Sequence, residues 1–175
     1  MFPSFAAGKR AFRKLAQDRV PADAMRLSDA DESAVNLAMS GIAGPTKQAF
    51  DRYTAWRKVA GGCLAIVGWE GPADMVKARR AHAHKVFGQF GGVGLGAGVG
   101  RSWEKNRFAA PYLRDDLLDA GYLVETLETA NEWSQLDATY DAVQAALRGA
   151  LGEPLIGTHL SHIYPTGASL YFTVI

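Results

Sequence analysis

Ser161-His162-Ile163-Tyr164-Pro165-Thr166-Gly167-Ala168-Ser169-Leu170-Tyr171-Phe172-Thr173-Val174-Ile175 is the stretch that decides the fold class. Ala168, Leu170, Phe172 and Val174 alternate with Ser169, Tyr171 and Thr173, the period-two pattern of a strand with one face on a core. Leu155 to Ile163 reads as the strand before it. Between them, Tyr164-Pro165-Thr166-Gly167 suits a turn with proline second and glycine fourth. Strands joined this tightly run antiparallel.

Toward the amino terminus, Ser134 is expected to cap a helix carrying Leu136, Tyr140, Val143, Leu147 and Leu151 on one face. Tyr122 to Thr129 reads as a strand, and Pro111 opens a helix to Ala120 that Gly121 can end in left-handed geometry. Gly88 to Gly100 is glycine-dense, and Pro72 suits the first residue of the helix before it, with Met75, Val76, Arg79, Ala83, Val86 and Phe87 at helical spacing. Cys63 to Trp69 is continuously apolar, which predicts a fully buried strand. Further helices are expected from Ser4 to before Pro21, from Ser28 or Asp29 to about Met39, and around Phe50, Tyr53 and Trp56; Ala24 to Leu27 is a short strand. The irregular alternation and the closing hairpin together predict an α+β fold, a mainly antiparallel sheet with helices packed on one face.

A chain of 175 residues fits one domain. A net charge of +1 gives no electrostatic case for nucleic acid or an anionic membrane, and no run reaches the ~18 apolar residues of a membrane span. The single cysteine, Cys63, excludes an intrachain disulfide, fits a reducing, cytoplasmic setting, and reads as a small buried hydrophobe. The end at Ile175, inside strand-like apolar sequence, would leave an unpaired edge and predicts a truncated chain.

Most candidate motifs read as structure. In Gly91 to Gly100 a dinucleotide fingerprint needs glycines at i, i+2 and i+5, and the last position is Ala97, Val99 or Arg101 in the three registers. A closely packed or flexible loop is the better reading. His82 and His84 point to different sides of a helix, and His159 and His162 to opposite sides of a strand, so no zinc set is expected. Two residues stand out. Arg114 falls within the apolar stripe of Leu113, Leu117, Leu118 and Gly121, where a guanidinium needs an acceptor. That acceptor is either an acid such as Asp115, Asp116 or Glu128, or an anionic substrate suited to its planar fork. Tyr171 lies on the less apolar strand face, placed either for surface packing or for proton transfer and hydrogen bonding to a bound molecule.

Taken with Phe2-Pro3-Ser4-Phe5, Gly8, Ala24-Met25-Arg26-Leu27-Ser28-Asp29, Trp103, Arg107-Phe108, Pro111-Tyr112-Leu113-Arg114-Asp115, Glu125-Thr126-Leu127-Glu128-Thr129 and Trp133, these motifs make the whole chain resemble a known family. It is similar to the carboxyl-terminal cap domain, ferredoxin-like in fold, of FAD-linked oxidases of the vanillyl-alcohol-oxidase type. Within them it resembles the alkyldihydroxyacetonephosphate synthase (alkylglycerone-phosphate synthase) branch. The resemblance implies that Tyr171 acts in acid-base chemistry beside the flavin, that Arg114 holds the anionic part of the substrate, and that Arg26 lies near the site as a second substrate-binding arginine. It also implies FAD, bound mainly by a separate FAD-binding domain of the same protein that this sequence lacks, together with a histidine-rich segment downstream of Tyr171. The substrate would be a small molecule or lipid with an anionic group. Acyl-dihydroxyacetone phosphate would exchange its acyl group for a fatty alcohol, without net oxidation, as a step in ether lipid synthesis.

The lactate/glycolate-type branch fits less well, since no second histidine follows His162 and Tyr171 takes roughly its place. Glu132, where the synthases usually carry proline, is a further departure. Two alternatives accompany this reading: oxidation of a hydroxy acid or alcohol, and a non-catalytic α+β binding module. The chain alone is expected neither to bind FAD appreciably nor to turn over. A homodimer and peripheral membrane attachment of the full-length protein stay open.

Overall fold

A computed structural model of the chain describes residues 1–108 and 110–175; Ala109, between the Arg107-Phe108 and Pro111–Asp115 motifs, lies outside the described residues. Ser4 caps the first helix, α1 (Phe5–Gln17), by accepting from the Ala7 N–H, and the helix buries Ala7, Gly8, Ala11, Phe12, Leu15 and Ala16. Gly8 is required there, because a Cβ would stand 2.6 Å from Leu27 Cδ1. β1 (Ala24–Ser28) follows and leads straight into α2 (Ala30–Met39), whose cap is Asp29, accepting from the Glu32 N–H. Of the two caps allowed by sequence, the carboxylate is the one used.

After α3 (Gly44–Trp56) the chain enters β2 (Ala65–Gly68). This strand departs from expectation, since all four residues are half-buried. β2 pairs only with β1, at the sheet edge, and the deepest apolar residues, Cys63 and Leu64, are spent before the strand begins. Cys63 pairs its backbone with Phe2, and burial pushes its thiol up to about 12, so it behaves as the inert hydrophobe expected.

α4 (Ala73–Gln89) buries Ala83 and Val86, with Pro72 standing at its cap rather than inside it. The glycine-rich segment ends not in a loop but in a helix, α5 (Gly98–Asn106), followed by α6 (Ala110–Asp119). Gly121, at φ 88°, closes α6 in the left-handed region, as expected. β3 (Glu125–Glu132) starts three residues later than its sequence suggests. α7 (Leu136–Leu151) is preceded by Gln135 with no side-chain cap bond, so the Ser134 cap is not formed. β4 (Ile156–Ser161) and β5 (Gly167–Val174) complete the fold.

The five strands form one sheet of order β2-β1-β4-β5-β3, and every pairing is antiparallel. The expected α+β class is borne out. β5 lies inside the sheet between β4 and β3, and Ile175 exchanges both backbone hydrogen bonds with Leu155. The apolar end of the chain is thus paired, contrary to the exposed edge expected of it.

α1 and α7 cover one face of the sheet. Phe12, Leu136 and Tyr140 meet Leu27, Ile156, Leu160, Leu170 and Phe172 there in a continuous core, with Tyr140 stacked on Phe172 at 6.3 Å between ring centroids. Each large apolar side chain buried in this way contributes about 1.5–3 kcal/mol. The opposite face is left to the cavity described next.

Candidate active site

The period-two pattern of β5 sorts its side chains between the two faces. Ala168, Leu170, Phe172 and Val174 are buried in the core, whereas Ser169, Tyr171 and Thr173 are half-buried on the other side. Register carries the same division across the sheet. Tyr171 stands opposite His159 on β4 and Glu128 on β3, and Arg26 on β1 stands opposite Ile66 on β2. All five line one large open cavity of about 1810 Å³ over the uncovered face. Its walls are α2, α3, α5 and α6, and the glycine-rich segment before α5 contributes Gly94 and Leu95.

Arg26, Arg114 and Tyr171, read from different parts of the sequence, all border this one cavity. Arg114 stands there differently from the prediction. Leu113 and Leu117 of its stripe are only half-buried and Leu118 is 40% exposed, so the stripe forms a cavity wall rather than a core contact. The guanidinium is itself about half exposed and lies 3.9 Å from Glu125 Oε2. Asp115 and Asp116 cannot pair with it, because adjacent residues on a helix project in different directions. Glu128 approaches His162 Nε2 at 3.8 Å. An exposed pair such as Arg114–Glu125 is worth ~0–1 kcal/mol, which leaves the cation free to exchange its partner for an anion.

Beneath Tyr171 lies a polar cluster that sequence inspection misses. The His159 ring stacks on the Tyr171 ring, centroids 4.9 Å apart and planes 26° from parallel. His159 Nδ1 lies 2.8 Å from Glu32 Oε1, and the same oxygen accepts from Arg26 Nη2 at 2.8 Å. Burial pushes the Glu32 carboxyl upward, but the His159 hydrogen bond and the charges of His159 and Arg26 outweigh it and hold the group below the usual carboxylate range. The nearby cap Asp29 goes the other way, since burial raises it despite hydrogen bonds from the Glu32 and Thr158 backbone and the Tyr140 hydroxyl.

His162 also lines the cavity, against the expectation that it and His159 face opposite sides. Between the pairs Ser161–Ser169 and Tyr164–Gly167, two residues, His162 and Ile163, face the single residue Ala168. This is a β-bulge, and His162 within it takes the left-handed conformation, at φ 47°. The extra residue breaks strict alternation and brings both imidazoles to one side. Among the described residues, no three His, Cys, Asp or Glu converge as a metal-binding group.

One face of the sheet is sealed by α1 and α7, and the other opens on a cavity bordered by Arg26, Arg114 and Tyr171. Residues 1–175 match the family described as FAD linked oxidases, C-terminal domain. The chain belongs to that family. Curated proteins similar to it include alkyldihydroxyacetonephosphate synthases. The one from Dictyostelium discoideum is 28% identical over 190 residues, covering 98% of this chain and 30% of the relative. The one from Trypanosoma brucei brucei is 29% identical over 186 residues, covering all of this chain and 30% of the relative. A solved structure of alkyldihydroxyacetonephosphate synthase superposes with a TM-score of 0.85 at 27% identity, over 99% of this chain and 34% of that one. The chain thus spans about a third of the length of the proteins it matches. No helix among the described residues is long and apolar enough to cross a membrane.

Proposed function

We propose that this chain is the substrate-covering portion of an FAD-dependent enzyme of the alkyldihydroxyacetonephosphate synthase kind. The complete protein would exchange the acyl group of acyl-dihydroxyacetone phosphate for a fatty alcohol. The observation that carries the reading is the meeting of Arg26, Arg114 and Tyr171 on one cavity at the face of the sheet that α1 and α7 leave open. The matching family and the synthase relatives supply the reaction class.

The residues present fit a flavin and a lipid-like substrate. The His159–Tyr171 stack offers a flat aromatic surface at the cavity floor. Leu37, Phe50 and Leu95 give the far wall an apolar character suited to an acyl or alkyl chain. Two guanidinium groups, one tied to Glu32 and one only loosely to Glu125, supply cations for phosphate. When bound, FAD, held mainly by a further domain of the complete protein, supplies an electron-accepting ring. Arg114 leaves Glu125 to orient the anionic end of the substrate. Tyr171 passes a proton between its phenol oxygen and the substrate, and the apolar walls exclude bulk water so that both contacts are strengthened.

The test uses the full-length protein loaded with FAD and assayed for acyl/alcohol exchange. Tyr171→Phe is expected to lower kcat by about 10²–10⁴-fold. Arg114→Ala is expected to raise KM for the phosphate-bearing substrate about 10- to 100-fold, the worth of a charge-assisted hydrogen bond. Full exchange activity in both variants would overturn the assignment.

A further inference from the structure

Two buried titratable side chains, Glu32 and His159, have no proton-transfer or substrate-holding role in the reading above; His159 packs on Tyr171, and Glu32 reaches Tyr171 through His159. His159 is only 6% exposed and is enclosed on three sides. Its cross-strand partner on β5 is Tyr171, its partner on β1 is the buried Ser28, and Glu32 reaches it from α2. Glu32 is fixed in turn: its N–H donates to the Asp29 cap at 2.8 Å, and its carboxylate receives Arg26. Gly157 makes room for it, since a Cβ there would stand 3.1 Å from Glu32 Cβ. A carboxylate held ionised only accepts hydrogen bonds, so His159 Nδ1 carries the proton and the plane of the imidazole is set. On its other flank Tyr171 meets Glu128, an exposed carboxylate that offers no ring to lie against.

We infer that Glu32 and His159 are positioning residues for Tyr171: Glu32 fixes the imidazole, and the imidazole fixes the plane of the phenol by stacking. The inference rests on the proton-transfer role proposed for Tyr171. A phenol on a half-open sheet face is free to swing, and an acid-base group displaced by 1 Å loses about 10²-fold in rate. An aromatic stack of this kind favours one ring position by a factor of about 2–10.

The experiment uses the full-length, FAD-loaded protein with 3-fluorotyrosine incorporated, the Tyr171 fluorine resonance being assigned by its loss in Tyr171→Phe. His159→Gln keeps a donor for Glu32 but removes the ring. It is expected to lower kcat about tenfold with KM within about twofold, and to move the Tyr171 resonance toward that of an unstacked tyrosine as the imidazole ring current is lost. His159→Phe keeps a ring in the stack and is expected to recover part of both. In the Tyr171→Phe background, His159→Gln should cost less than about a further twofold, because a residue that acts through Tyr171 has nothing left to act on. An unmoved resonance with unchanged kcat, or fully additive losses in the double variant, overturns the inference. If His159→Gln does not fold, Glu32→Gln decides in its place: a shifted or broadened resonance with reduced kcat supports positioning, and an unchanged resonance and kcat refute it. If Tyr171→Phe itself retains full kcat, the proton-transfer role fails, whereas a silent His159→Gln beside an inactive Tyr171→Phe sinks only the positioning.

Discussion

The two faces of β5 are built from the same eight residues and answer to different demands. On the face under α1 and α7, Leu170 and Phe172 are sealed among apolar neighbours, and the polar groups that intrude find partners, as Thr158 does with Gln144 at 3.0 Å. On the cavity face, Tyr171 lies over a buried histidine, a buried glutamate and a half-buried arginine, with one Glu32 oxygen lacking a partner among the described residues. Stability does not account for the second arrangement. Replacing buried charged groups by well-packed apolar ones is often neutral or stabilising, so a cluster of this kind on the open side of a sheet points to chemistry rather than to folding. Residue-by-residue parity along one strand separates the residues that hold the domain together from those proposed to carry its chemistry.

The sharpest break in that comparison comes from adjacent residues. Phe172→Ala should cost about 3–5 kcal/mol of stability, read as a fall in the midpoint of denaturant unfolding. Tyr171→Phe, one residue away, should change that midpoint by no more than about 0.5 kcal/mol, while the role proposed for it calls for the fall of about 10²–10⁴-fold in kcat of the full-length protein. If both variants are equally destabilised, the division of labour between the faces fails.

The acid cluster gives the next largest effect. Glu32→Gln should cost about 1–3 kcal/mol near neutral pH, because it weakens charge-assisted hydrogen bonds to Arg26 and His159. Glu32 is held below its ordinary range in the fold, so its contribution is present above the unfolded carboxylate value of about 4.3 and fades as pH falls through the lower folded value. The wild-type protein should therefore lose more stability than Glu32→Gln on acidification through that window. Asp29 has the opposite sign: raised by burial, its contribution is full below the unfolded value and is lost as pH rises through the folded one. Asp29→Asn should accordingly steepen the acid loss. Thermal unfolding followed from pH 7 to 3 distinguishes the two slopes.

How far these faces were legible depended on the range of the interaction. The parity of β5, the Ser4 cap and the left-handed Gly121 are local, and each stands where the sequence predicts. α5 was hidden because glycines at its start, Gly98 and Gly100, argue for a loop whatever follows. The edge position of β2 depends on which strands find partners, which an apolar run does not reveal. Glu32 and His159 are 127 positions apart, and only the sheet brings them together. The histidine is obscured further by the bulge. Counting the hairpin from Tyr164–Gly167 as the last regular pair puts Leu160 opposite Tyr171, a slip of one residue that assigns His159 to the wrong face.

The smallest effect tests the cavity face alone. Arg114 and Glu125 stand 3.9 Å apart with both side chains about half in solvent, and such pairs contribute ~0–1 kcal/mol. Glu125→Gln should therefore leave the unfolding midpoint nearly unchanged. It also removes the carboxylate that competes with an incoming phosphate for the guanidinium. If Arg114 serves as the anion holder of the complete enzyme, KM for the phosphate-bearing substrate should fall by up to about fivefold, the kinetic equivalent of a weak surface pair, with kcat unchanged. A rise in KM would mean that Glu125 orients Arg114 rather than competing for it. A lower unfolding midpoint would place the pair with the packing residues of the opposite face, where the comparison says it does not belong.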